Sequence, residues 1–194
     1  MTVAPSAELE LMQRVARRDA AAFEQLVARH QGPLYRFALR MCLDPARAED
    51  TVQEALLSAW REAGAFLGHS TLRTWLFSIL LNACRHSKRT RVGQPDHTEP
   101  LETAEDEPSA APTPEVSVAT LEQHRALDAA LGELEPSERQ VVLLRDVEGL
   151  SGEDVAGLLG LTLPAMKSRL HRARAELKTR LEARLRPVRK ELRP

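Results

Sequence analysis

The middle of this sequence contains a stretch that cannot add to a folded core. Residues 92–118 include no lysine or arginine, and five prolines interrupt their acidic side chains. The acidic residues are Asp96, Glu99, Glu102, Glu105, Asp106, Glu107 and Glu115. Because proline lacks the backbone donor that a helix needs and like charges repel one another, the stretch is typical of a flexible linker. We therefore expect two domains, residues 1–91 and 119–194.

Composition predicts that both domains are helical. The chain has 194 residues, enough for one medium and one small domain, each with a modest core. Aromatic residues make up only 4% of it, whereas alanine, leucine, arginine and glutamate, which favour helices, are abundant. The expected fold class is all-α, with two small helical domains joined by an extended acidic linker.

Several kinds of protein are disfavoured by the same sequence. No uncharged stretch is long enough to cross a bilayer and no basic segment with an apolar run opens the chain, so we expect a cytoplasmic protein without membrane insertion. Cys42 and Cys84 lie in apolar helical contexts that are typical of buried thiols in a reducing compartment. The six histidines lack the paired spacing of a zinc site, and we expect no metal and no cofactor.

Helix start signals divide the first domain into five predicted helices. Asp19 is placed to cap the second helix, and Pro33 is placed to open the third. Asp44 followed by Pro45, a capping carboxylate before a proline at the first helical position, opens the fourth. A loop at residues 64–70 then precedes the fifth helix.

A polar patch marks the start of the fourth predicted helix and consists of Glu49, Asp50, Gln53 and Glu54. Carboxylates near a helix N-terminus are stabilised by the helix dipole, so a solvated surface accounts for the three acids without any partner. It does not account for the glutamine.

The second domain carries the pattern of a helix-turn-helix. Pro136 opens its second helix and Gly149 ends it, and Ser151 opens a third helix with Asp154 as an acidic capping-box partner. Thr162 can cap a longer fourth helix whose exposed side is basic. Two helices with this arrangement suit the major groove, although helical hairpins with a basic face also occur in proteins that bind no DNA.

Each domain ends in a basic run. The first run comprises Arg85, Lys88, Arg89 and Arg91, and the second extends from Lys167 to Arg193, where only Glu176, Glu182 and Glu191 oppose it. A solvated helix face explains either run by itself. Two such runs favour contact with nucleic acid phosphates.

The first domain closely resembles region 2 of the extracytoplasmic-function sigma factors. The resemblance lies in residues 47–60, RAEDTVQEALLSAW, and in residues 71–82, TLRTWLFSILLN. It implies that Asp50, Gln53 and Glu54 contact the coiled coil of the largest subunit of RNA polymerase. It also implies a site for the minus-ten element of the promoter.

In this minus-ten site, the resemblance implies that Asn82 and the loop residues His69, Ser70 and Thr71 hold a base flipped out of the non-template strand. An unstacked base needs polar groups for its edge and a clamp on its backbone, and the basic run Arg85, Lys88 and Arg89 supplies the clamp. Gly68-His-Ser replaces the glycine, acidic residue and serine that are frequent in the family, so the family pattern does not predict which base this site prefers.

The second domain resembles region 4 of the same family, in residues 144–151, LRDVEGLS, and in residues 166–174, MKSRLHRAR. This region reads the minus-thirty-five element. The matching positions are Thr162, Ala165, Lys167, Ser168, Arg169, His171 and Arg172. Pro164 and Ala165 replace a valine-glycine-threonine sequence that is commoner in the family, so the family pattern does not predict the sequence preference of this helix.

The resemblance implies a promoter-specificity subunit that acts by binding and is not an enzyme. Its implied partners are core RNA polymerase, through the beta and beta-prime subunits, promoter DNA and a cognate anti-sigma factor. A helix-turn-helix regulator that binds an operator without polymerase is the alternative. An enzyme is disfavoured because Cys84 and His86, two apart on one helix, point in different directions.

Overall fold

The computed structural model describes residues 7–89 and 118–191, with their side chains in residues 7–86 and 122–185. The described residues form eight α-helices and no strands, which confirms the all-α prediction. Contacts divide the chain into two compact units, residues 1–97 and 98–194. Except for Val118, where a helix begins, the predicted linker lies outside the described residues.

Four α-helices and one short 3-10 turn make up the described part of the first unit. They are α1 (Ala7–Ala16), α2 (Ala20–Cys42), α3 (Pro45–Arg61), the 3-10 turn Ala63–Ala65, and α4 (Leu72–Arg89). Helix α3 packs against both α2 and α4, and α1 closes the unit against α2 and the 3-10 turn. The largest buried side chains include Phe37 and Phe77, whose rings meet edge to face at 5.1 Å between centroids.

The prediction that Pro33 opens a new helix is wrong. Pro33 lies inside α2, which runs without interruption from Ala20 to Cys42. A proline in a helix interior costs about 3 kcal/mol, because it removes one hydrogen bond and crowds the preceding turn. Buried side chains on both sides of it, Leu26 before and Leu34 after, continue one apolar face of the helix. Burial of that face offsets the local cost.

The two predicted aspartate caps are confirmed. Asp19 Oδ1 accepts a hydrogen bond from the Ala22 amide at 3.1 Å, and Asp44 Oδ1 accepts one from the Arg47 amide at 3.1 Å. Pro45 occupies the first turn of α3, where its missing donor costs little. These side chains satisfy amides that a helix start leaves without intrahelical partners.

The described part of the second unit also has four α-helices. They are α5 (Val118–Gly132), α6 (Pro136–Val142), α7 (Gly152–Leu159) and α8 (Leu163–Glu191), and a π-helical turn at Leu143–Val147 extends α6. Helices α5, α6 and α7 all pack against α8. The helix starts predicted at Pro136, Ser151 and Thr162 agree with these boundaries.

Two details of α7 differ from the prediction. Ser151 Oγ accepts a hydrogen bond from the Asp154 amide at 3.0 Å, as a capping residue should. The Asp154 carboxylate, however, accepts from the Ser151 hydroxyl at 2.7 Å, whereas a capping-box partner binds a free amide. Leu158 and Leu159, which helical spacing predicts on the buried face with Val155 and Ala156, are only half-buried at the end of this short helix.

The guanidinium of Arg139 is buried and closes the turn between α5 and α6. Its Nε donates to the Leu131 carbonyl at 2.9 Å, and its Nη2 donates to the carbonyls of Gly132 at 2.5 Å and Leu134 at 3.0 Å. The last carbonyls of a helix lack intrahelical partners and carry the negative end of the helix dipole. One cation therefore satisfies the end of α5 from inside α6.

The two cysteines are in different environments, and neither forms a disulfide. Cys84 is buried in α4 as expected, but Cys42, at the end of α2, is partly exposed, which corrects its predicted burial. Its Sγ lies 4.0 Å from the Thr51 hydroxyl oxygen. Within the described residues, every helix is too short or too polar to span a membrane.

We predict that Arg139→Leu destabilises the second unit by about 3 kcal/mol, because it leaves buried carbonyls without a donor. Thermal unfolding of the full chain, followed by circular dichroism, measures the loss. Arg125→Leu removes an exposed arginine from α5 and serves as the matched control. Equal stability of the two variants would contradict the role assigned to Arg139.

Candidate polymerase and DNA surfaces

One exposed strip of α3 contains the predicted polymerase contacts. Asp50, Gln53 and Glu54 are all exposed, because the opposite side of α3 packs against α2 and α4. Leu57 continues the strip, three and four residues after Glu54 and Gln53, and is 56% exposed. Sequence reasoning missed Leu57, although a leucine off the apolar face of an amphipathic helix was a visible signal.

The loop before α4 is anchored at its start. Phe66 is buried and its ring lies 5.6 Å from the Trp75 ring, between centroids. Gly68 has a φ of 74°, a conformation that L side chains rarely adopt. A Cβ at Gly68 would lie 3.8 Å from Leu9 Cδ1, so this part of the loop runs beside α1.

The end of the same loop is anchored by two caps on α4. The Thr71 hydroxyl accepts a hydrogen bond from the Thr74 amide at 3.1 Å and lies 2.9 Å from the Thr74 hydroxyl. A carboxylate oxygen of Glu8, in α1, accepts from the Leu72 amide at 3.1 Å. Thr71 therefore helps to start α4. Of the predicted loop residues, His69 is exposed and Ser70 is half-exposed.

Asn82 is exposed on α4 and is paired with Arg85, whose Nη1 donates to Asn82 Oδ1 at 3.1 Å. Ten residues separate Asn82 from Leu72, which is about 15 Å along a helix. The structure therefore does not place Asn82 and Thr71 side by side. Lys88 and Arg89 belong to the last turn of α4, but their side chains lie outside the described ones.

The predicted recognition face occurs on α8. The apolar side of this helix is buried through Met166, Leu170 and Ala173. The side chains of Ala165, Lys167, Ser168, His171 and Arg172 are exposed, and Arg169 is half-exposed. Thr162 Oγ1 accepts from the Ala165 amide at 3.3 Å, so Thr162 caps the helix.

Part of the second basic run is neutralised within the unit. Arg174 binds Asp146 through two hydrogen bonds of 2.8 and 2.5 Å, and these raise the pKa of Arg174. The Arg184 guanidinium, followed by that of Arg180, holds the pKa of Glu133 below its ordinary value. Asp146 and Glu133 lie far from the basic run in sequence, so composition did not reveal that they oppose it. Three cations expected to face phosphates are thus ion-paired instead.

The candidate residues for an enzyme are not arranged as a site. Cys84 is buried and His86 is exposed on the same helix. Among the described residues, no group of three or more histidine, cysteine or carboxylate side chains is placed to hold a metal ion.

Comparison with known proteins connects these surfaces to one family. The family model for Sigma-70 region 2 matches residues 26–92, and the one for Sigma-70, region 4 matches residues 124–177. The ECF RNA polymerase sigma factor SigM of Mycobacterium tuberculosis is 36% identical over 170 residues, which cover 88% of this chain and 82% of SigM. The chain belongs to the extracytoplasmic-function sigma factors of the sigma-70 family.

Other relatives of this sigma factor agree in sequence and in fold. The RNA polymerase sigma factor CnrH of Cupriavidus metallidurans is 33% identical over 178 residues, covering 89% of this chain and 93% of CnrH. A solved structure of CnrH in complex with the cytosolic domain of CnrY superimposes with a TM-score of 0.66 at 30% identity, covering 92% of this chain and 99% of that one. The structure of the sigma factor RpoE, solved with the anti-sigma factor NepR from Bartonella quintana, superimposes with a TM-score of 0.62 at 26% identity, covering 82% of this chain and 96% of that one.

These matches establish a factor that directs transcription initiation, and they do not favour the stand-alone operator-binding regulator. Helix α1 lies before the matched region 2. It nevertheless supplies the Glu8 carboxylate that caps α4.

We predict that Glu8→Ala makes the Leu72 amide exchange with solvent about fivefold faster, because a lost helix cap costs about 1 kcal/mol. Hydrogen exchange followed by NMR resolves this single amide. Glu10→Ala, an exposed glutamate of the same helix, should leave the rate unchanged. Equal rates in the two variants would show that Glu8 does not hold the loop.

Proposed function

We propose that this sigma factor binds core RNA polymerase through the α3 strip, opens the minus-ten element with α4 and its preceding loop, and recognises the minus-thirty-five element with α8. It acts by binding and needs no cofactor. The observation that carries the proposal is the exposed α3 strip, since a regulator that binds DNA without polymerase has no need of it.

The α3 strip has the composition of a docking surface. Leu57 offers an apolar anchor, and Asp50 and Glu54 flank it with charge, while Gln53 provides both a donor and an acceptor. Interfaces commonly combine a small apolar centre with a polar rim that sets orientation. The carboxylates favour a partner surface with basic residues, which electrostatic attraction brings into register.

The exposed face of α8 suits duplex DNA. Lys167 and Arg172 can pair with phosphates or guanine edges, and Ser168 and His171 can adapt to several bases. Arg174 is excluded from the proposed DNA contacts, because Asp146 holds it in a bidentate ion pair. The proposed reading residues therefore end at Arg172, although the basic run continues to Arg193.

An anti-sigma factor is a further proposed partner. Two solved relatives, CnrH and RpoE, are each held in a complex, one with the cytosolic domain of CnrY and one with the anti-sigma factor NepR. A protein that covers the same exposed faces would keep this sigma factor from polymerase.

We predict that Asp50→Ala combined with Gln53→Ala weakens binding to core polymerase at least about tenfold, and that Leu57→Ala does so by itself. Gel filtration and fluorescence titration of the labelled full chain with core enzyme measure the change. The exposed pair Glu24→Ala and Gln25→Ala likewise removes one carboxylate and one glutamine, from α2, and is the control.

The proposed docking face is supported if the wild type co-elutes with core polymerase, the α3 variants co-elute less, and the control behaves like the wild type. Wild-type protein that fails to bind core polymerase would contradict the proposal as a whole.

We predict that Arg172→Ala weakens holoenzyme binding to a minus-thirty-five duplex about tenfold. It should also lower the number of counterions released on binding, measured from the salt dependence, by about one. The duplex is one selected by the wild-type holoenzyme from a randomised library. Lys178→Ala, on the same helix and 3.9 Å from Glu182, should have little effect. A larger loss for the Lys178 variant than for the Arg172 variant would place the reading face elsewhere on α8.

A further inference from the structure

Leu67 is the most exposed of the large apolar side chains that stand out from the described surface, at 66%. A single exposed leucine is common on soluble proteins, so its exposure alone indicates nothing. Its position is more informative. Leu67 belongs to the loop that leads into α4, two residues before His69.

The backbone around Leu67 is fixed on both sides. Buried Phe66 precedes it, and Gly68, in a left-handed conformation beside Leu9, follows it. The loop then ends in the caps that Thr71 and Glu8 supply to α4. Leu67 therefore cannot turn inward unless these contacts are broken, and its side chain is held in solvent.

The segment that carries Leu67 is suited to a polyanion. Residues 63–89 contain no aspartate or glutamate, and the exposed residues Arg73 and Arg85 lie on α4. The Glu8 carboxylate reaches this segment from α1, where it accepts a hydrogen bond from the Leu72 amide. This setting differs from that of Leu57, which lies among carboxylates on α3. Charge complementarity thus favours a nucleic acid strand as the occupant of the surface around Leu67. It disfavours a basic protein segment, and it disfavours an acidic protein segment less strongly.

We propose that Leu67 is an apolar wedge that inserts into the non-template strand beside the unstacked base. There its side chain covers the face of the neighbouring base that stays in the stack. Leucine is among the side chains that proteins insert between base steps, where an apolar group compensates for lost stacking. The wedge rests on the proposed function, and it assigns Leu67 to strand opening, whereas His69 and Ser70 would contact the flipped base.

A wedge must matter more for opening a duplex than for binding a strand that is already open. The test uses the full chain in holoenzyme and two templates. One is a promoter duplex selected from a randomised library, and the other is the same promoter with mismatched bases in the minus-ten segment, so that this segment is already open. Fluorescence of 2-aminopurine in the non-template strand and abortive transcription report opening. Leu67→Ala removes the wedge, Leu67→Met retains an apolar side chain, and Val147→Ala truncates an exposed apolar residue of the second unit.

We expect Leu67→Ala to lower opening of the duplex about tenfold, and the mismatched template to restore activity to within about twofold of wild type. Leu67→Met and Val147→Ala should behave like wild type on both templates. Equal losses on the two templates, or no loss for Leu67→Ala, would overturn the wedge. So would a Leu67→Ala variant that opens DNA normally but binds an anti-sigma protein poorly.

Failure of the wedge is distinguishable from failure of the proposed function. Wild-type holoenzyme that selects and opens no promoter would contradict both. Wild type that opens DNA while Leu67→Ala opens it equally well would contradict the wedge alone.

Discussion

The surfaces of this sigma factor depend on the burial of one face of each helix in a small core. Each unit has few apolar side chains to bury against the conformational entropy of folding, so almost all of its large ones are used inward. In α8, Met166, Leu170 and Ala173 are buried, and the three- and four-residue spacing then leaves Lys167 and Arg172 in solvent. The same packing fixes which side of α3 is exposed. Core packing thus decides where the binding chemistry lies.

Helix packing alone does not fix the turns, and buried or capping polar groups do that work. Arg139 joins the end of α5 to α6 through three carbonyls. Glu8 reaches 64 residues along the sequence to cap α4, and Arg174 reaches back to Asp146. The Arg139 and Glu8 contacts satisfy backbone groups that a helix end leaves without an intrahelical partner. The 64-residue separation of Glu8 and Leu72 lets one helix set where another begins.

Much of this architecture was predictable from the sequence, because local signals dominate helix boundaries. The caps at Asp19, Asp44 and Thr162 follow from side chains that bind the nearest free amides. Pro33 misled the prediction because tertiary burial outweighed a local preference. The exposed residues of α3 and α8 were found by helical spacing, which needs no knowledge of the partners.

What sequence reasoning missed depends on contacts between distant residues. The ion pairs of Arg174 and Arg184 require Asp146 and Glu133 to lie beside α8, and no local pattern shows this. The spacing between Asn82 and Thr71 is different, because it follows from the rise of one helix and needs no distant contact. Leu57 and Leu67 were overlooked because apolar residues are assigned to the core by default. Helical spacing could have shown that Leu57 lies off the apolar face of α3, whereas Leu67 lies in a loop, where only the structure shows its exposure.

The ion pairs on α8 also bear on how promoter recognition achieves specificity. Cations that face phosphates add affinity without regard to sequence, so neutralising Arg174, Arg180 and Arg184 within the unit limits nonspecific binding. Each proposed DNA surface is small, and a small surface binds DNA weakly by itself. In the proposed function, polymerase holds both units on one promoter, so the second contact is intramolecular and gains from a high effective concentration. Weak separate surfaces would thereby make recognition conditional on polymerase.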